Sequence, residues 1–318
     1  MNTRRDFLKT AGAAAAVAST GQLPALAEKK KPSPAEDVVK SLFGSLNEQQ
    51  RKEVVFDFNH PLRKKVDNNW QITRPRVGQF FNKDQQAMIE EIFRKIHSPE
   101  YADKVIGQVA HDSKSNGLEK CSVGLFGDPA DRFEFVLTGR HCTRRCDGNS
   151  VAGAAFGGPI FYGHAARGFY EKPDHPGNAY WYQAKEANKV FDMLDGKQRE
   201  TALLGRSRGE RGMKTIELTG KKEGLPGLRA GDMSKDQQEQ MQKVMKSLMA
   251  MFRKEDADEA MKYIMNNGFD NLHMAFYKAE DLGEDKVWDV WQVEGPSMVW
   301  YFRGEPHVHT WLNIQAEA

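Results

Sequence analysis

Val287-Trp288-Asp289-Val290-Trp291-Gln292-Val293-Glu294-Gly295-Pro296-Ser297-Met298-Val299-Trp300-Tyr301-Phe302-Arg303-Gly304-Glu305-Pro306-His307-Val308-His309-Thr310-Trp311-Leu312-Asn313-Ile314 is the stretch that decides the fold. It holds three short runs rich in Val, Trp, Tyr and Phe, residues 287–293, 297–303 and 307–314, broken at Gly295-Pro296 and Gly304-Glu305-Pro306. Runs of this length and composition, bounded by Gly and Pro, are strands joined by tight turns. A fourth run, residues 272–278, precedes them across Gly283-Glu284. Upstream, residues 121–126, 133–142 and 150–162 repeat the pattern, separated by Gly127-Asp128-Pro129 and Asp147-Gly148-Asn149, and are expected to form an antiparallel meander.

Helices flank the strands. Four segments place an Asn, Asp or Ser after an apolar residue and a glutamine three positions on: Leu46-Asn47-Glu48-Gln49-Gln50, Phe81-Asn82-Lys83-Asp84-Gln85, Leu194-Asp195-Gly196-Lys197-Gln198 and Met233-Ser234-Lys235-Asp236-Gln237. In each, the cap accepts from a free first-turn amide and the glutamine reaches back to the cap's own amide. Capping alone selects these residues, and it is preferred here to internal duplication as the reason for the recurrence. Apolar spacing at Met88, Ile89, Ile92, Phe93 and Ile96 gives one buried helical face. Helices are expected near residues 83–97, 185–203, 234–252 and 256–267. The expected class is therefore α+β: an antiparallel meander and C-terminal strands, packed with several amphipathic helices. Residues 205–231, rich in Gly, Arg and Lys, read as a long loop with a short strand at 214–218.

The N-terminus carries an address. Thr3-Arg4-Arg5-Asp6-Phe7-Leu8-Lys9 has the twin-arginine pattern, an alanine-rich core follows, and Ala25-Leu26-Ala27 supplies the small-x-small site of a signal peptidase. The expected organisation is a signal peptide over 1–27, a flexible segment over 28–40 and one α+β domain over 41–318. The expected partners are the twin-arginine translocation machinery and signal peptidase, and the expected location is periplasmic or otherwise extracytoplasmic. The chain has 46 basic and 44 acidic residues; the first 27 hold three and one of these, which leaves 43 of each. A net charge of zero predicts no field that gathers nucleic acid. No later apolar run approaches about 18 residues, so no stable membrane anchor is expected.

If residues 305–311 are extended, Glu305, His307, His309 and Trp311 point to one side. His-x-His on a strand brings two imidazoles to one ion, zinc or copper, with a third ligand from elsewhere and a position left open. The upstream candidates are His141, His164, His175 and His273. The plainer alternative is a polar strand face solvated by water. Cys142 and Cys146 suggest a disulfide in an exported chain. On a straight strand their Cα atoms lie about 13 Å apart against the less than about 7 Å a disulfide needs, so pairing requires a coiled or bulged backbone. A bond to Cys121, inert thiols, or thiolates lowered by Arg140, Arg144 and Arg145 are the other readings. Tyr170, Tyr180, Trp181 and Tyr182, with Trp288, Trp291, Trp300 and Trp311, suit core packing or a carbohydrate platform.

The order of Thr138-Gly139-Arg140-His141, the helix start at Leu194, Gly224-Leu225-Pro226 ahead of Gln237, and Gly295-Pro296 before His307-Val308-His309 resembles an exported bacterial family catalogued as domain of unknown function 3500, over about residues 40–314. The family pattern reads Gly-His-His at the first piece, so Arg140 departs, and an acidic residue after the Gly-Pro strand is replaced near Trp300 and Tyr301. The resemblance implies a shared fold and names no reaction. The leading expectation is an exported metal-dependent enzyme, hydrolytic or redox, with His141, His307 and His309 as ligands. His164 is expected as fourth ligand or proton-transfer group and Glu305 as the base or the residue that orients a histidine. The alternative is a non-catalytic periplasmic protein that binds envelope components or carbohydrate.

Overall fold

The computed structural model describes residues 34–165, 177–279, 281 and 285–317. The signal peptide, the cleavage site, Tyr170, His175 and the Gly283-Glu284 turn lie outside the described residues. Residues 33–318 form one compact unit.

All four capping boxes are present. Asn47, Asn82, Asp195 and Ser234 each accept from the amide of the glutamine three residues on, and each glutamine returns the bond. These glutamines also join in pairs: Gln50 with Gln85, and Gln198 with Gln237. The pairing exposes a second regularity. Elements α1 (Ala35–Ser45), α2 (Glu48–Val54), β1 (Val55–Phe56), α3 (Val77–Phe80), α4 (Lys83–Lys95), α5 (Pro99–Ser113), β2 (Ser122–Gly127), β3 (Phe133–Gly139), β4 (Cys142–Cys146) and β5 (Ile160–His164) make one half. The other half is α6 (Tyr182–Asp192), α7 (Gly196–Ala202), β6 (Leu203–Leu204), β7 (Leu228–Arg229), α8 (Lys235–Met249), α9 (Lys254–Asn266), β8 (His273–Tyr277), β9 (Val290–Gly295), β10 (Met298–Arg303) and β11 (Val308–Ile314).

The halves follow one design. Each runs helix, capped helix, two-residue strand, a short element that differs between them (α3 in one, β7 in the other), capped helix, helix, then four antiparallel strands. In each, the two-residue strand pairs in parallel with the first of the four, β1 with β2 and β6 with β8. The result is an 11-stranded sheet ordered β1-β2-β3-β4-β5-β11-β10-β9-β8-β6, with β7 beside β8. Its centre is the antiparallel pair β5 and β11, where Val308 faces His164 and Leu312 faces Ile160. Capping explains why the same residues recur, but not why the same order of elements and strand pairings recurs with them. The preference for capping over duplication was therefore incomplete.

Both faces of the sheet are buried. Tyr162, Trp300, Phe302 and Leu312 pack into the helical layer with Phe93 and Leu248, while Phe161, Val299, Tyr301 and Trp311 pack on the opposite face with Val66 and Ile216. Strands covered on both sides read as near-continuous apolar runs, the pattern that made them legible.

Several boundaries differ from expectation. Helix α1 starts at Ala35, inside the 28–40 segment expected to be flexible, because Ala35, Val38 and Val39 are buried in the core. Residues 133–142 are not one strand: the chain turns at Arg140-His141, between β3 and β4. His141 there adopts φ 53°, the left-handed region usually given to Gly or Asn. The 150–162 run is a strand only from Ile160, after a 3-10 turn at Ala155–Gly157. The helix expected over 185–203 is two helices, separated at the Asp195 cap, and the strand expected at 214–218 is a 3-10 turn at Lys214–Ile216.

Candidate metal centre

Strands β5 and β11 place His309 opposite Gly163. The missing side chain matters here, because a Cβ on Gly163 would lie 2.2 Å from the Val308 carbonyl oxygen and 3.4 Å from the His141 Cβ. Through that gap the β3–β4 turn brings His141 against the start of β11. His307 Nε2 lies 2.9 Å from His309 Nε2, which lies 3.0 Å from His141 Nε2. One half of the fold thus supplies His141 and the other supplies His307 and His309. An ion bonded at about 2.0–2.1 Å has donors about 3–4 Å apart, so the spacing fits a shared cation.

The outer ring nitrogens are held by carboxylates. His141 Nδ1 donates to Asp112 Oδ2 at 2.9 Å, and His309 Nδ1 donates to Glu210 at 2.7 and 2.9 Å. Asp112 lies near the end of α5, where it also accepts from Gln108 Nε2 and the Ala165 amide. Glu210 comes from the 205–219 loop and lies 3.4 Å from Arg303, the residue opposite His309 on β10. Fixing the proton on Nδ1 leaves Nε2 as a bare lone pair. On His141 and His309 those lone pairs face each other, an arrangement that repels unless a positive species lies among them.

Electrostatics disfavour a proton on His307 and on His309. Burial, the neighbouring His309 and His141, and Arg303 push His307 down to about 3. Burial and Arg303, against the Glu210 bond, leave His309 at about 4. Burial alone would raise Glu210, but the His309 bond and Arg303 hold it below the usual carboxylate range. His141 and His309 are buried and His307 half-buried, so the group opens at His307.

The other expected residues stand elsewhere. His164 is not among the three, because successive strand residues alternate in direction and Gly163, not His164, shares the face of His309. It groups instead with His111 and Asp112, and its Nδ1 lies 2.7 Å from Gln108 Nε2. His273 bonds the Asn271 carbonyl at the start of β8. Glu305 is half-buried in the β10–β11 turn and, among the described residues, makes no hydrogen bond or ion pair to the three histidines; the carboxylate on His309 is Glu210. Sequence reasoning missed Asp112 and Glu210. Asp112 had a signal, since it follows Val109 by three residues and Val105 by seven and so continues the apolar face of α5. Glu210, in Gly209-Glu210-Arg211-Gly212, had none beyond its flanking glycines.

Cys121, Cys142 and Cys146 are free and buried. Burial pushes Cys142 up to about 11 and outweighs Arg144, so the expected lowering by the arginines is overturned. Arg145 and Arg63 are instead committed to the buried Glu134. Trp291, Trp300 and Trp311 are at most 1 % exposed and serve as core rather than as an open platform.

Fold and site together define an α+β protein in two similar halves, with a histidine cluster at their joint. The chain belongs to the family described as Protein of unknown function (DUF3500), whose model matches residues 28–314. Residues 1–21 match the twin-arginine translocation pathway signal sequence. The protein is therefore exported by the twin-arginine machinery and is periplasmic or otherwise extracytoplasmic. Among the described residues no helix is long and apolar enough to cross a membrane. No curated protein and no solved structure matches the chain.

Proposed function

We propose that the protein is an exported metal-dependent enzyme whose ion is held by His141, His307 and His309, and that signal peptidase releases it after Ala27. The observation that carries the reading is the facing of bare Nε2 atoms on His141 and His309, each imidazole fixed by a carboxylate on its far side. A carboxylate behind a ligating histidine sets the tautomer and raises the ligand's basicity. Three neutral nitrogen donors suit zinc or copper(II), and an ion so held keeps its charge and acts as a Lewis acid on an added ligand.

Each residue has a task in this reading. Asp112 and Glu210 keep protons on the outer nitrogens, and Phe161, 5.2 Å from the His309 ring, walls off water. Half-buried His307 borders the side through which a small-molecule or envelope-derived substrate reaches the centre. Nothing in the geometry ties Glu305 to the reacting side. Elemental analysis of protein isolated from its native compartment tests the proposal. At least one equivalent of zinc or copper, with one equivalent lost in His307→Ala/His309→Ala while the variant stays folded, is the expected result. Metal-free native protein, or a metal content unchanged in the double variant, overturns it.

A further inference from the structure

A second group of side chains lies on the other side of Asp112. Nitrogen atoms of His111 and His164 and an oxygen of Asp112 lie within 4.8 Å of one another. Asp112 and His164 are buried, His111 is half-buried, and the two imidazole rings lie nearly parallel at 5.3 Å. His164 Nδ1 and Asp112 Oδ1 stand 3.9 Å apart, and between them sits the Gln108 amide nitrogen, 2.7 Å from the first and 2.9 Å from the second.

The orientation of Gln108 is fixed, because its Oε1 accepts from the Ala179 amide. Its NH2 group therefore faces both atoms and donates to each, so a lone pair of His164 and a lone pair of Asp112 aim at one point. That point is occupied by a group with partial positive charge. Donors about 3–4 Å apart are what an ion with bonds of about 2.0–2.1 Å requires. Gln108 and His111 also line a cavity of about 520 Å³ with Lys104, Asn178 and Tyr182, which gives the ion a way in and the displaced amide a place to go.

We propose that His111, Asp112 and His164 form a second cation site for a borderline divalent ion such as zinc, in which the ion replaces the amide nitrogen of Gln108. Asp112 then joins the two sites: Oδ1 ligates the second ion while Oδ2 holds the Nδ1 proton of His141. The inference rests on the three-histidine reading only through this shared carboxylate. Mixed imidazole and carboxylate donors suit zinc better than calcium or magnesium, which take oxygen.

The test is zinc stoichiometry and affinity, measured on the exported, processed protein by titration against a competing chelator. Wild type is expected to bind two zinc ions, His111→Ala one, and His307→Ala/His309→Ala one. Gln108→Ala is expected to bind at the second site about tenfold more tightly, the effect of removing about 1.4 kcal/mol of hydrogen bonding that the ion otherwise breaks. His111→Asn replaces His111→Ala if the latter lowers the melting temperature. One ion in wild type, unaffected by His111→Ala, overturns this inference and leaves the three-histidine centre standing. One ion lost only with His111 supports it and sinks the proposed function.

Discussion

Replacing Asp112 by Asn separates a metal centre from a merely polar cluster. Asp112 is buried and accepts from three donors: Gln108 Nε2 and the Ala165 amide at Oδ1, and His141 Nδ1 at Oδ2. An asparagine has one oxygen. Two donors converge at Oδ1, so the oxygen stays there and the new NH2 faces His141. Two outcomes are open to the ring. Keeping Nδ1–H leaves two donors in contact, at a cost of about 1–3 kcal/mol. Moving the proton to Nε2 lets His141 accept from the introduced amide and donate to His309, 3.0 Å away. The second route is the cheaper, and it removes the lone pair that an ion needs. The metal-free variant is therefore expected to be nearly as stable as wild type, yet to bind zinc about 10–100-fold more weakly at the three-histidine centre. Chelator-competition titration in a His111→Ala background isolates that centre, and a urea midpoint monitors the fold. A folded variant that binds zinc within twofold of its parent would refute the tautomer argument, while a parent that binds no zinc would refute the metal reading.

Two further predictions bear on the frame that holds the site. Gly163→Ala drives a methyl group into the Val308 carbonyl, and overpacking of this kind costs about 3 kcal/mol. The urea midpoint and the zinc content are expected to fall together, and a variant that kept both would show that the β5–β11 approach is not tight. His97 tests the buried interior. Its Nδ1 donates to the Phe93 carbonyl and its Nε2 accepts from Arg144, while burial and the Arg144 charge hold it down to about 3 from 6.5. The folded value is the lower one, so the unfolded chain takes the proton first. The full contribution is present above pH 6.5 and is lost at about 1.4 kcal/mol per pH unit as pH falls toward 3. His97→Gln keeps an acceptor for Arg144 without titrating, so the stability gap between wild type and variant is expected to shift by about 2 kcal/mol between pH 6.5 and 4.5. A gap that stays flat would show that His97 is free to protonate.

Local features were legible in the sequence where local physics fixes them. Asn82 and Gln85 need nothing beyond their own helix turn, so the capping boxes were readable one by one. The strand 308–314 was readable because both its faces are buried and Pro306 marks its beginning. The β3–β4 turn was not, because the residue that takes the left-handed conformation is His141 itself, and no Asn-Gly or Gly-Gly pair announces it. The carboxylates were hidden for a different reason. Asp112 is 29 residues from His141 and Glu210 is 99 from His309, and no periodicity links residues on different elements. The duplicated plan escaped because its evidence is in strand pairing. Only when Gln50 is seen against Gln85, and Gln198 against Gln237, do four capping signals become two pairs.

That plan also accounts for where the cluster lies. Joining two four-stranded units through β5 and β11 makes the central pair antiparallel, so the end of one strand meets the beginning of the other at each end of the pair. At one end His164 meets Val308, and there the β3–β4 turn, the end of α5 and the 205–219 loop converge. At the other end Ile160 meets Leu312, and the hairpin corresponding to Arg140-His141 carries Pro296 and Ser297 instead. The architecture repeats while the chemistry does not. Polar groups buried along the sheet, such as Glu134 with Arg145, are closed off by their partners, so the strand ends are where imidazoles and carboxylates can be held apart from solvent and still be reached. The cluster uses one such end, and each half brings one carboxylate-backed histidine to it. Separating the halves would dismantle the centre rather than divide it.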